Sequence, residues 1–191
     1  MGIEIHITVP HNIRDLSLAS VAGRFRTLDD IFSEISQYYA KFGFEHPSQT
    51  WSARDTEDWL REWDRQFYGH VPVAFDAPAG FSFHFGPHVL SIHHHTRFGV
   101  FCTESDIRQS LRRFTWRVLG LLSGKRAIYS PDDYGIYDLI FQGQTFSEIE
   151  AHLLRLAPPA SSFAELEDSS AQPRYYVDRF EDFYVETTSV A

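Results

Sequence analysis

With one cysteine, Cys102, among 191 residues, the chain cannot close a disulfide within itself, so its stability has to come from packing. No apolar run approaches the roughly 20 residues needed to cross a bilayer. The N-terminus, Met1-Gly-Ile-Glu-Ile-His6, shows neither the basic nor the apolar segment of an export signal. Both features predict a cytoplasmic protein with no membrane role. Positive charge is also scarce: Lys+Arg 17 against Asp+Glu 26 gives a formal net charge of −9. Phosphate backbones demand a positive footprint, so direct nucleic-acid binding is disfavoured, whereas a basic partner would meet this surface faster. A P-loop, a G-x-G-x-x-G, a G-x-S-x-G elbow, an H-E-x-x-H and paired C-x-x-C motifs are all missing. These absences count modestly against the common enzyme classes; the expectation is a non-enzymatic protein with no cofactor, with a metal-dependent enzyme using a His-x-His pair or a small-ligand binding module as alternatives.

Aromatic residues, by contrast, are plentiful. Phe 17, Tyr 9 and Trp 4, within a hydrophobic fraction of 43%, supply enough apolar area for one core, and the length suits one domain. Residues 1–159 read as a single α+β domain and 160–173, small, polar and acidic, as a linker or surface loop. Residues 174–191 are aromatic again and read as a segment docking on the domain, ambiguous between strand and helix.

Residues 3–9, Ile-Glu-Ile-His-Ile-Thr-Val, alternate with period two, which predicts a strand with Ile3, Ile5, Ile7 and Val9 inward. The stretch 11–26 has no clear period. Thr27, followed by Asp29 and Asp30, opens a helix ending at Gly43 whose buried stripe includes Leu28, Ile31, Phe32, Ile35 and Tyr39. A second helix, 56–69, turns Asp55, Asp58, Glu62 and Asp64 outward, and 71–80 reads as a connector. Phe81–Phe85 and His88–His95 form a hairpin across Gly86-Pro87, with Phe85 opposite His88. That pairing puts Phe81, Phe83, Leu90 and Ile92 on one face and Ser82, His84, Val89, Ser91, His93 and His95 on the other. Phe98–Cys102 is expected to return as a third strand. Thr103-Glu-Ser-Asp106 has capping-box spacing and opens the longest helix, which Gly124 stops. Residues 125–129 read as a strand, 136–142 as a short helix, and Thr145-Phe-Ser-Glu148 as a second capping box whose helix ends at Pro158-Pro159. The fold expected is α+β, with amphipathic helices packed on a mainly antiparallel sheet.

Four constellations could carry chemistry or binding. His93 and His95 project from the same side of a strand, about 7 Å apart, and could share a metal ion, though the pairing above leaves His84 too far to be a third ligand. Cys102 could be a nucleophile if it shared a face with His93, but a diagonal of about 7–8 Å exceeds hydrogen-bond reach. Asp132 and Asp133, with Tyr134, sit in a turn-rich loop after a strand, where binding residues often lie. On the longest helix Trp116 projects away from the apolar stripe, with Arg112 and Arg113 beside it and Arg117 further round, a plausible contact for an anionic ligand or a protein.

The segment 114–159 carries a likeness: a helix ending Leu-Leu-Ser-Gly-Lys-Arg126, the strand Ala-Ile-Tyr129, the loop Ser-Pro-Asp-Asp-Tyr-Gly135, then Gly143-Gln-Thr-Phe-Ser-Glu-Ile-Glu-Ala-His-Leu154 and Pro158-Pro159. It resembles a layout found in immunity proteins of bacterial polymorphic-toxin and type VI secretion systems. The resemblance covers about a quarter of the chain. It implies a small cytoplasmic protein that binds a cognate toxin and occludes its active site; many such toxins are basic and attack nucleic acid. Asp55, Asp58, Glu62, Asp64, Trp116, Asp132, Asp133 and Tyr134 are the contacts expected from the residues themselves.

Overall fold

Strand β1 (Glu4–Pro10) lies inside the sheet, paired antiparallel on one side with β5 (Val89–Arg97) and on the other with β6 (Arg126–Pro131). The computed structural model describes residues 3–40, 50–53, 73–168 and 174–179. Within them the strands β2 (Ser52–Ala53), β3 (Val73–Ala77), β4 (Phe81–Phe85) and β7 (Tyr176–Arg179) complete a seven-stranded antiparallel sheet of order β2-β3-β4-β5-β1-β6-β7. With its helices, the sheet makes an α+β fold. The expected connector 71–80 thus contains a strand, β3, whose Phe75 and Ala77 are buried. The C-terminal segment takes strand form at β7.

One face carries an aromatic core. Ile5, Ile7 and Val9 of β1, Phe75 of β3, Phe81, Phe83 and Phe85 of β4, and Leu90 and Ile92 of β5 meet the helices α1 (Leu18–Phe25), α2 (Asp29–Ala40) and α4 (Ser105–Leu122). Phe114 of α4 stacks on Phe81 at 4.3 Å, and Phe32 of α2 meets Phe81 at 5.7 Å. Each fully buried ring contributes about 1.5–3 kcal/mol through area removed from water, so this layer dominates the fold. Helix α1 arises in the stretch without clear period and is capped by Ser17, whose hydroxyl accepts from the Ser20 amide at 3.3 Å.

Three further expectations change. The hairpin pairs Phe85 with Leu90, two residues away from the predicted register, because the loop holds Gly86–His88 and closes with the Gly86 amide donating to the Val89 carbonyl. A shift of two preserves the faces. It also moves His84 opposite Ser91, nearer to His93 than predicted. The expected third strand, 98–102, is instead helix α3 (Phe98–Thr103): β1 already occupies the free edge of β5, and Phe98, Phe101 and Cys102 have the helical spacing that buries one side. The capping box at Thr103 does not form, since Thr103 closes α3 and its hydroxyl donates to the Gly99 carbonyl; α4 starts after Glu104 without a side-chain cap. The box at Thr145 and Glu148 is present and opens α6 (Phe146–Leu156). The end expected at Gly43 and the whole helix 56–69 fall outside the described residues.

The opposite face is divided. Near β6, α5 (Ile136–Phe141) and α6 cover it with a smaller core of Val89, Ile128, Ile136, Ile140, Phe146, Ile149, Leu153 and Tyr175. Gly86 permits the close approach of α5, because a Cβ there would stand 2.8 Å from the Ile140 carbonyl oxygen. Over β4 and β5 the same face opens into a polar cavity. Within 160–173, Phe163–Asp168 forms a short helix, α7, with Leu166 in the aromatic core.

Strand β7 is pinned to α4 by a buried bidentate pair, Arg112 Nε to Asp178 Oδ2 at 2.7 Å and Arg112 Nη2 to Asp178 Oδ1 at 3.0 Å. Removing one partner strands a buried charge, so Asp178→Ala should cost about 3–5 kcal/mol in urea denaturation, while the double change Arg112→Met with Asp178→Leu recovers most of it. Equal, additive losses would show that the pair is not coupled.

Candidate metal centre

The antiparallel register of β1 and β5 sets His6 directly opposite His93, and the pairing of β1 with β6 sets Ser130 opposite His6, which brings Asp132 to the same spot just past the end of β6. Ser91 lies two residues before His93 on the same face, opposite Thr8 of β1 and His84 of β4. Four strands therefore deliver three imidazoles, three hydroxyls and a carboxylate to one region. The rings of His6 and His93 stand 4.3 Å apart, those of His84 and His93 5.4 Å. Tyr137 of α5 lies over His93 at 4.3 Å with an interplanar angle of 17°. A cavity of about 560 Å³ opens above them, its walls including Glu4, Asp76, Ser82, His84 and His95.

The two facing imidazoles are held in the same orientation. Each turns Nε2 toward Ser91 Oγ, a hydrogen bond for His6 and one of 3.1 Å for His93. Each turns Nδ1 toward Asp132 Oδ1, at 3.8 Å from His6 and 3.7 Å from His93. These last separations are too long for hydrogen bonds. His6 is fully buried, and its Nδ1 has no hydrogen-bond partner among the described residues. Burial is the main force on its charge state and the neighbouring His84 adds to it, lowering its pKa to about 3. His6 is thus a neutral imidazole at any physiological pH.

Two chemistries use such a set. A Ser-His-Asp nucleophile needs an accessible serine and a histidine hydrogen-bonded to the carboxylate. Ser91 is completely buried beneath both rings, and neither histidine reaches Asp132, so no acyl group could meet its oxygen. A metal ion fits better. Tetrahedral donors about 2.1 Å from zinc stand about 3.4 Å apart, close to the 3.7 and 3.8 Å seen here, and the three ligand atoms all lie within 4.8 Å of one another. Asp132, part-exposed, can close the remaining gap by a small side-chain rotation.

The other residues singled out from the sequence are scattered. His95 is exposed and lines the cavity, but it stands outside the converging group, in which His6 joins His93. His94 faces the opposite side of the sheet, where it is buried with Nδ1 2.7 Å from Thr96 Oγ1 and Nε2 donating to the Ala79 carbonyl at 3.0 Å. Cys102 is buried in α3, on the aromatic side, and does not share a face with His93. Trp116 is half-buried beside Ala127, Tyr129 and Asp178. Its rim is not a free anion site, since Arg112 pairs with Asp178, Arg113 with Glu34 and Arg117 with Asp30. Tyr134 is half-buried against the smaller core. Asp55, Asp58, Glu62, Asp64 and the side chain of Asp133 lie outside the described residues. His6, the residue that completes the centre, was placed by its alternation on the outer side of a half-buried strand, and only the pairing of β1 with β5 shows otherwise.

Comparison with family models, curated protein sequences and solved structures finds no match to the chain.

The buried neutral His6 has a consequence for the metal-free protein. Unfolded, a histidine takes up a proton below pH 6.5; folded, this one refuses it until about pH 3. Stability should therefore fall by about 1.4 kcal/mol per pH unit from this group between those limits. Unfolding free energies from urea titrations in EDTA at pH 6.5 and 5 should differ by about 2 kcal/mol more for the native sequence than for His6→Asn. An identical pH slope in both would refute the assignment.

Proposed function

We propose that this protein is a metal-dependent enzyme that holds one divalent transition-metal ion on His6, His93 and Asp132 and presents it to a small polar substrate in the cavity. The observation that carries the reading is the buried Nδ1 of His6, aimed at the same carboxylate oxygen as His93 Nδ1 and without a hydrogen bond among the described residues. A buried polar atom left so costs about 1–3 kcal/mol; a metal bond would offset that cost. Two imidazoles and one carboxylate leave coordination positions open, the donor pattern of catalytic rather than closed structural sites. An ion there would act as a Lewis acid, polarising a carbonyl or lowering the pKa of a bound water toward 7.

Charge in the cavity favours a neutral or cationic substrate. The +2 of the ion would face Asp132, Glu4 and Asp76, and no Lys or Arg lines the cavity among the described residues. A phosphate ester would be repelled by that balance.

The test is elemental analysis after purification and after dialysis against Zn²⁺, Mn²⁺ or Co²⁺. One ion per chain is expected, lost in His6→Ala and in His93→Ala and weakened in Asp132→Asn, with His95→Ala unchanged. Native protein that takes up none of the three metals, or a variant combining His6→Ala, His93→Ala and Asp132→Asn that keeps its ion, would overturn the reading.

A second reading is favoured by a separate surface. Leu154 is 61% exposed and Leu156 46%, and with the exposed Pro158 and Pro159 just beyond them they mark the tip of α6 at its C-terminal end. This tip lies in the segment resembling immunity proteins, on a chain of net charge −9. On this reading the protein neutralises a cognate toxin without chemistry of its own, through that tip and the contacts expected at Asp55, Asp58, Glu62, Asp64, Trp116, Asp132, Asp133 and Tyr134. Co-expression with the product of the neighbouring gene discriminates: rescue from toxicity lost in Leu154→Glu with Leu156→Glu and kept in His6→Ala supports it. A neighbouring product that is harmless in cells lacking this protein removes it.

A further inference from the structure

The geometry points to Ser91 and Thr8 as a positioning pair beneath the metal centre, which fixes both histidines as Nδ1 ligands by turning the Ser91 hydroxyl to donate its hydrogen bond to Thr8. This inference rests on the metal reading above.

The argument is one of counting protons. Ser91 Oγ is the shared neighbour of two imidazole Nε2 atoms. A hydroxyl has one proton and two acceptor lone pairs. While it donates that proton to one Nε2, that ring must carry its own proton on Nδ1, facing Asp132; the other ring donates from Nε2 and keeps an Nδ1 lone pair. Metal-free, the site therefore holds one ring of each tautomer, with only one lone pair ready for an ion.

Binding an ion through both Nδ1 atoms requires both rings to be protonated on Nε2. Ser91 must then accept twice, and its own proton has to point elsewhere. Thr8 lies directly opposite Ser91 on β1, on the same face. Its hydroxyl oxygen is buried and has no hydrogen-bond partner among the described residues. Cross-strand Cβ atoms stand about 4.5–5.5 Å apart, so rotation of the two hydroxyls brings the oxygens into reach. Thr8 is thus the acceptor that the loaded state calls for and the metal-free state leaves idle. Ligating histidines are commonly oriented by a partner on the second ring nitrogen, whose loss weakens metal affinity about 10–100-fold. Here one serine serves two rings, and one threonine serves the serine.

The experiment uses the full chain with Zn²⁺ as the probe. Affinity is measured by titration against a competing chelator, and histidine tautomers by ¹⁵N–¹H correlation through the ring. Native protein should show one Nδ1–H and one Nε2–H ring at this site without metal, and two Nε2–H rings with zinc. Ser91→Ala should lose about 10–100-fold in zinc affinity. Thr8→Val, nearly the same shape without the hydroxyl acceptor, should lose affinity as well, whereas Thr8→Ser should retain it. Zinc-loaded native protein with either ring protonated on Nδ1 overturns the inference, a result that does not depend on any variant folding. Zinc binding by Ser91→Ala and Thr8→Val within twofold of native also overturns it and leaves the metal reading intact. Native protein that binds no zinc, manganese or cobalt ends both.

Discussion

The constraint that shapes this molecule is the burial of β1 on both of its faces. Its inward residues Ile5, Ile7 and Val9 are core residues on the helical side, yet His6 and Thr8 on the other side are equally inaccessible. An apolar side chain in such a place needs only packing, but an imidazole or a hydroxyl needs a hydrogen bond or a ligand. The structure meets that need for His6 at one nitrogen, through Ser91, and leaves the other directed at Asp132. The candidate centre is thus a consequence of where the first strand was inserted, between β5 and β6.

The two faces of the sheet follow different physics. The helical face is filled by interlocking aromatic rings, and the arginines around it are committed to carboxylates on neighbouring elements: Arg112 with Asp178, Arg113 with Glu34, Arg117 with Asp30. Close packing of this kind resists small displacements, which gives the candidate centre on the other face a rigid platform. The opposite face is apolar only where α5 and α6 cover it. Over β4 and β5 it carries the histidine cavity, with Tyr137 of α5 at the boundary between the two.

Much of the architecture was legible. Period two marked β1 and β4, helical stripes marked α2, α4 and α6, and the Thr145 capping box formed as its spacing implied. The failures share a cause. Phe98–Cys102 was expected as a strand because it follows a hairpin, but β5 had already paired its other edge with residues some ninety positions earlier in the chain. Thr103 was expected to cap the long helix, but the preceding helix took its hydroxyl. In both, a local pattern was correct as chemistry and lost to a partner that local reasoning does not see. The centre shows the same limit. His93 was identified from its own strand, and Asp132 from its loop, whereas His6 was hidden in an alternation that assigned it to the outside.

The amino-acid sequence alone therefore determined the class of fold and the alternating faces of the hairpin, because hydrophobic period and turn chemistry act within a few residues. Only the tertiary structure decided that β1 lies between β5 and β6. That placement buries His6, sets it opposite His93 and draws Asp132 to the same point, because strand order is fixed by packing the whole sheet and no short stretch encodes it.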